Sequence, residues 1–169
     1  MKLINNKKGF TLVELLAVII VLSLILVLIV PAVLDNMNNS RRRTVLIYAQ
    51  RLVSNAATVY QNYKAFNDSS DLGGLKAGAS GDNTYCINID KLGLQNMGTY
   101  KGYIIITPGS SAAGGSVDTG TTYTVYITDG TYGINGVDVS GNPSLSTTVT
   151  QIATIASETN HTGCYTAAS

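Results

Sequence analysis

From Phe10 to Leu34 the chain is apolar at all but four positions, Thr11, Glu14, Ser23 and Pro31. About 20 apolar residues carry a helix across hydrocarbon, and Phe10 to Val30 supplies 21 with Glu14 as the single charge. The run is too long for the apolar stretch of a cleaved secretory signal, which spans roughly 7–15 residues, and no A-x-A-like site precedes Pro31. A plain membrane helix accounts for the length but leaves Glu14 unexplained. A charge in mid-membrane costs roughly 2.5–3.5 kcal/mol on insertion scales. Such a carboxylate needs a partner, unless it lies near the headgroups and is solvated there by snorkelling.

Beyond this segment the composition changes to Gly, Ser, Thr, Asn and Tyr, so a greasy anchor precedes a polar head. The chain has 169 residues, enough for one domain with a modest core. Charged residues are 12% and the net charge is +1. That balance gives no electrostatic footprint for nucleic acid. Orientation is not fixed by charge, because Lys2, Lys7 and Lys8 flank one end of the span while Arg41, Arg42, Arg43 and Arg51 follow the other. The Arg41–Arg43 triplet reads as a solvated or headgroup-level face in preference to an acidic-patch ligand. Cys86 and Cys164 allow one disulfide bond in an extracytoplasmic head, or remain two buried free thiols.

Met1 to Gly9 is a short, polar, basic leader, and the apolar run begins directly after the glycine. Lys7-Lys8-Gly9-Phe10-Thr11-Leu12-Val13-Glu14-Leu15 resembles the processing site of type IV prepilins. The resemblance implies cleavage between Gly9 and Phe10 by a membrane prepilin peptidase, and N-methylation of Phe10. It also implies that Glu14 pairs with the N-terminal amine of a neighbouring subunit. An amine and a carboxylate brought together in this way replace a buried lone charge with a charge-assisted pair.

After Arg41 the pattern becomes amphipathic. Val45, Ala49, Leu52, Ala56, Val59/Tyr60 and Tyr63 recur at three- and four-residue spacings, which predicts one helical face. Joined to the apolar run, this gives a single helix of about 55 residues, roughly 80 Å long. Pro31 predicts a kink or local unwinding, and Asp35, Asn36, Asn38, Asn39 and Ser40 weaken the same region. Pilins resemble this pattern, with a proline at the matching position, and Pro31 is accordingly a candidate assembly joint.

In the head, residues 67–84 read as a Gly/Ser/Asn/Asp loop, Tyr85–Ile89 as a short strand and Asp90–Leu94 as a helical turn. Tyr103–Thr107 and Tyr123–Thr128 are the clearest strands. Pro108–Thr121 reads as an exposed Gly/Ser-rich connection. Asp129-Gly130 signals a hairpin turn with Thr131–Ile134 returning, extended by Val137–Val139. Leu145, Val149, Ile152 and Ala156 predict a short C-terminal helix, and the Cys164-Tyr165 stretch a return to the sheet. A long helix followed by an antiparallel sheet is an α+β arrangement.

Candidate chemistry is sparse. There is one histidine, His161, and besides Glu14 one glutamate, Glu158. No zinc-ligand spacing, nucleophile–base motif or phosphate-binding glycine loop occurs, so the reading is of a non-enzyme without a cofactor. Ser110-Ser111 reads as linker. Asp129 and Asp138, with Asn135 between them, could supply oxygen ligands for calcium, but turn chemistry explains them better. Asn67-Asp68-Ser69 and Asn160-His161-Thr162 fit the short N-x-[ST] pattern.

The expected organisation is a leader, 1–9, an apolar membrane and filament-core helix, 10–40, and a head, 41–169. The resemblance implies a homopolymer assembled from a cytoplasmic-membrane pool by inner-membrane pilus machinery, displayed outside the cell, and serving adhesion, aggregation or twitching motility. A pseudopilin of a type II secretion or DNA-uptake system shares the leader and Glu14, and short assemblies with a calcium site would favour it. A membrane-anchored binding module is the third class, and the lack of a catalytic constellation argues against an anchored enzyme.

Overall fold

The structure is a computed structural model, and it describes residues 9–66, 74–79, 82–94, 98–109, 120–139 and 148–166. The chain divides into two compact units, one ending at Ser40 and the other running from Arg41 to Ser169.

Helix α1 spans Leu12–Phe66, 55 residues. Its apolar part is exposed at every residue through Leu34, including the large side chains Leu12, Leu22 and Leu28. The helix is long and apolar enough to cross a membrane. Within this part the Ser23 hydroxyl donates to the Ile19 carbonyl at 2.7 Å, so its polar group is satisfied inside its own helix. The local unwinding expected at Pro31 is absent, and the helical assignment continues through Pro31 and through Asp35–Ser40. A proline removes one backbone donor, while Leu28, Ala32 and Leu34 near it are strong helix formers.

The second unit contains a five-stranded antiparallel sheet in the order β1–β2–β3–β4–β5. The strands are β1 Leu75–Ala77, β2 Tyr85–Asn88, β3 Lys101–Thr107, β4 Thr122–Thr128 and β5 Gly133–Asp138. A 3-10 turn, Ile89–Leu92, leaves β2 and ends at Gly93, whose φ of 69° is the left-handed conformation that glycine adopts freely. Strand β1 falls where the sequence suggested only loop. It is three residues long and its register with β2 runs Leu75↔Ile87 to Ala77↔Tyr85.

Two cores lie on the two faces of the sheet, because successive strand side chains point to opposite sides. On one face Val45, Ala49, Leu52, Ala56 and Tyr60 of α1 pack with Ile87, Ile104, Ile106, Val125, Ile127 and Ile134. Fully burying one such side chain contributes about 1.5–3 kcal/mol. On the other face Cys86 and Tyr103 pack with Ile155 and Cys164, flanked by Ile105, Tyr126, Ile152 and Tyr165.

That second face is covered by a C-terminal strap, so the expected helix does not run on through Ile152 and Ala156, although Thr148 is itself helical. Thr150 makes an antiparallel bridge to Gly133, with both N–H···O bonds at 2.9 Å, and residues 151–159 have no regular structure. Val149 belongs to the core beneath α1, whereas Ile152 and Ile155 belong to the core beneath the strap. The apparent helical stripe therefore serves two different faces. Ala156, a member of that stripe, is exposed, and Ile155 beside it is buried. The Thr128 hydroxyl donates to the Ile152 carbonyl at 2.9 Å, a bond that holds the strap extended. Leu145, Ser110-Ser111 and Asn67-Asp68-Ser69 lie outside the described residues.

Candidate functional site

The N-terminal site is built by the start of α1. Glu14 donates its amide N–H to the Thr11 hydroxyl at 3.3 Å. Thr11 in turn donates its amide, at 2.9 Å, and its hydroxyl, at 3.0 Å, to Glu14 Oε2. This reciprocal arrangement is a capping box, with threonine at the cap position and glutamate three residues on. It satisfies donors that a helix start leaves orphaned. The positive end of the helix dipole also favours a carboxylate here. Glu14 thus has a partner within its own chain.

Thr11 is the residue that the sequence reading missed. The signal was present as Thr11-Leu12-Val13-Glu14, an S/T-x-x-E box directly before an apolar run. Both Phe10 and Glu14 are exposed, Phe10 at 84%. Gly9, Phe10, Thr11 and Glu14 border one open depression. A Cβ built on Gly9 meets nothing within 4 Å, so the fold itself does not require glycine there.

In the head, Cys86 and Cys164 are joined by a disulfide across 78 residues, with Cα atoms 6.2 Å apart. Next to it lies a buried polar relay. His161, 2% exposed, contacts Glu158 Oε1 through Nδ1 at 3.0 Å and Thr84 Oγ1 through Nε2 at 2.9 Å. The Asn160 amide also donates to Glu158 Oε1, at 2.7 Å, and its side-chain amide donates to Asp82 Oδ2. Hydrogen bonds from the side chain and amide of Thr84 hold the Asp82 carboxyl below its ordinary range. Hydroxyl, imidazole and carboxylate stand in the order of a hydrolytic triad. Two depressions beside this face, among the described residues, are lined by Lys101, Tyr165 and their neighbours and include neither Thr84 nor His161. The relay joins the C-terminal strap to the start of β2.

The calcium candidates are apart. Asp129 Oδ1 accepts from the Thr131 and Tyr132 amides, both at 2.7 Å, and its own amide donates to the Tyr132 carbonyl. The turn therefore occupies Asp129–Tyr132, and β5 begins at Gly133, later than the sequence suggested. Asp138 pairs with Thr124 at the far end of the same hairpin. Among the described residues no group of three or more His, Cys, Asp or Glu is placed to hold a metal ion. Of the arginine triplet, Arg41 and Arg43 are exposed. Arg42 instead donates from Nε and Nη2 to the Val149 carbonyl, at 3.2 and 2.7 Å.

Residues 4–30 match the family model of the prokaryotic N-terminal methylation motif. The match supports a prepilin leader of the type IV kind, and with it a protein of the pilin and pseudopilin class. It covers the leader and the apolar start of α1, and the head lies outside it. The α+β architecture, one long apolar helix with a five-stranded antiparallel sheet, is consistent with that class. No curated protein and no solved structure matches the chain.

Proposed function

We propose that the chain is the structural subunit of a type IV pilus, a major-type pilin that polymerises through α1 into a surface filament. The observation that carries this reading is the coincidence of the methylation motif at residues 4–30 with an apolar helix segment exposed on every side. Before assembly that segment sits in the cytoplasmic membrane. A prepilin peptidase cuts between Gly9 and Phe10 and the new amine is methylated. The inner-membrane assembly machinery then extracts the subunit. Neighbouring helices replace lipid around Leu12–Leu34, and a repeated head-to-tail contact extends the polymer.

Glu14 changes partner in this scheme. In the precursor its carboxylate caps its own helix through Thr11. In the filament it takes the amine of the next subunit's Phe10, a contact between two opposite charges in place of bonds between one charge and two neutral donors. The filament is external and serves adhesion, aggregation or twitching motility. Asp129 and Asp138 act in turn and strand, and no cofactor is used.

The test is Glu14→Ala, with the cell surface imaged by electron microscopy. Loss of filaments with a normal membrane pool is expected. Filaments like those of the wild type would sink the amine–carboxylate mechanism. A pseudopilin shares the leader and Glu14 but builds short assemblies. Filament length in sheared surface material, with mass spectrometry of its main component, separates the two.

A further inference from the structure

The disulfide of the head presents its two sulfurs unequally. Cys86 lies within β2, is fully buried and packs with Tyr103 and Ile155. Cys164 lies on the strap and is 9% exposed. An open depression of about 300 Å³ is lined by Cys164 together with Asn88, Asp90, Lys101 and Tyr165. Asn88 Oδ1 is 3.4 Å from Cys164 Sγ, which sets that sulfur at the wall of the depression. Cys86 lines neither this depression nor the adjoining one, which shares Lys101 and Tyr165. Lys101 is exposed and brings a cation to both.

A disulfide opens when a thiolate reaches one of its two sulfurs, and access helps decide which. We propose that Cys164 is the sulfur at which the folded head exchanges with a small anionic thiol, and that Cys86 is the internal sulfur that closes the bond again. The incoming thiolate bonds to Cys164 Sγ. The bond from Cys164 Sγ to Cys86 Sγ breaks, and its electron pair leaves on Cys86 as a thiolate. Cys86 stays on β2 beneath the strap, so it can return to Cys164 Sγ and expel the external thiolate. A second external thiolate competes with it. That one attacks the external sulfur and releases Cys164 as a thiolate. Two electrons have then passed to the head, the external thiol has become a disulfide, and both cysteine thiolates take protons from water. Lys101 favours the approach of an anionic thiol by charge.

The strap does not depend on the bond alone. Thr150 remains bridged to Gly133, the Thr128 hydroxyl donates to the Ile152 carbonyl, and the Glu158 amide donates to the Tyr165 carbonyl at 2.9 Å. Exchange at Cys164 therefore proceeds without unfolding the head. It stands on the head by itself and is the same for a pilin or a pseudopilin.

The test uses the full chain in detergent and reduced glutathione, a small anionic thiol. After brief exposure the reaction is quenched with acid, free thiols are alkylated, and the adduct is located by peptide mass spectrometry. In the folded protein the adduct on Cys164 is expected to exceed that on Cys86 about tenfold or more, and in urea, where both sulfurs are open, the two are expected to be near equal. An equal split in the folded protein would mean that exchange waits for unfolding, and overturns the proposal. An excess on Cys86 overturns it too, as does a folded protein that gives no Cys164 adduct at thiol concentrations that open the bond in urea. Lys101→Glu supplies a second readout. At low salt the opening of the folded head by glutathione is expected to slow about threefold or more, with the rate in urea unchanged. A folded rate equal to that of the wild type would show that the thiol does not enter past Lys101, and the assignment of this depression fails.

Discussion

At the scale of single residues the head is most unusual at Tyr103. Its ring is 2% exposed and stacks between Tyr126, centroids 4.6 Å apart, and Tyr165, centroids 5.3 Å apart. Burial, then the nearby Tyr126, Glu158 and Tyr165 charges, push its phenol far above the ordinary value. Burial likewise raises Tyr85 and Tyr100. A raised phenol favours the neutral form in the folded state. Its contribution is complete below the unfolded value of about 10 and is lost as the pH rises past it. Stability should therefore fall steadily above about pH 10. In an ultraviolet titration of the full chain in detergent, at least three of the ten tyrosines should ionise late, together with loss of tertiary structure. All ten ionising as one ordinary group would contradict this. The sequence shows Tyr103 as a strand residue but not which face of the sheet it occupies, because the strap that buries it carries a helix-like spacing in Val149, Ile152 and Ala156. The Thr11–Glu14 box was fully legible in four consecutive letters, whereas the His161 relay joins residues 77 apart in the chain and left no local pattern.

At the scale of elements, legibility followed the source of each element's stability. Strands β3 and β4 carry runs of β-branched and aromatic residues, which fit a pleated, half-buried surface. Helix α1 carries its period in its own sequence. Strand β1, Leu-Lys-Ala, owes its existence to pairing with β2 and has no propensity of its own. The strap owes its course to the Gly133–Thr150 bridge at one end and the Cys86–Cys164 bond at the other. Closing a 78-residue loop removes entropy from the unfolded chain worth about 4–5 kcal/mol on the loop-closure estimate. Cys86→Ala with Cys164→Ala should therefore destabilise the head by up to that amount, read from its denaturant midpoint. Because Ile155 and Tyr103 share that core, hydrogen exchange should rise first in the strap and spare the α1 face of the sheet. A midpoint within about 0.5 kcal/mol of the wild type, the range of neutral surface changes, would show that the strap holds without its staple.

At the scale of the whole molecule, the proposed processing and the proposed assembly meet at Gly9. Glycine is required by a fold when a Cβ would clash or when φ is positive. Gly133 meets the first condition, since a Cβ there would lie 2.4 Å from the Ile127 carbonyl oxygen. Gly9 meets neither, with nothing within 4 Å and no positive φ. Any requirement for glycine there comes from outside the folded chain, and the proposed cleavage supplies one, a peptidase that accepts glycine at the scissile position. This gives a separation that few positions offer. Gly9→Val should leave the thermal unfolding of the head unchanged, while the protein keeps residues 1–9 by intact mass, carries no methyl group on Phe10 and stays in the membrane. Without the cut there is no Phe10 amine, so Glu14 keeps its Thr11 partner and the proposed inter-subunit pair cannot form. Filaments should be lost as completely as in Glu14→Ala, although the carboxylate is untouched. If Gly9→Val filaments assembled with the leader still attached, the amine would not be the partner of Glu14. The capping box would then be the whole of that residue's function.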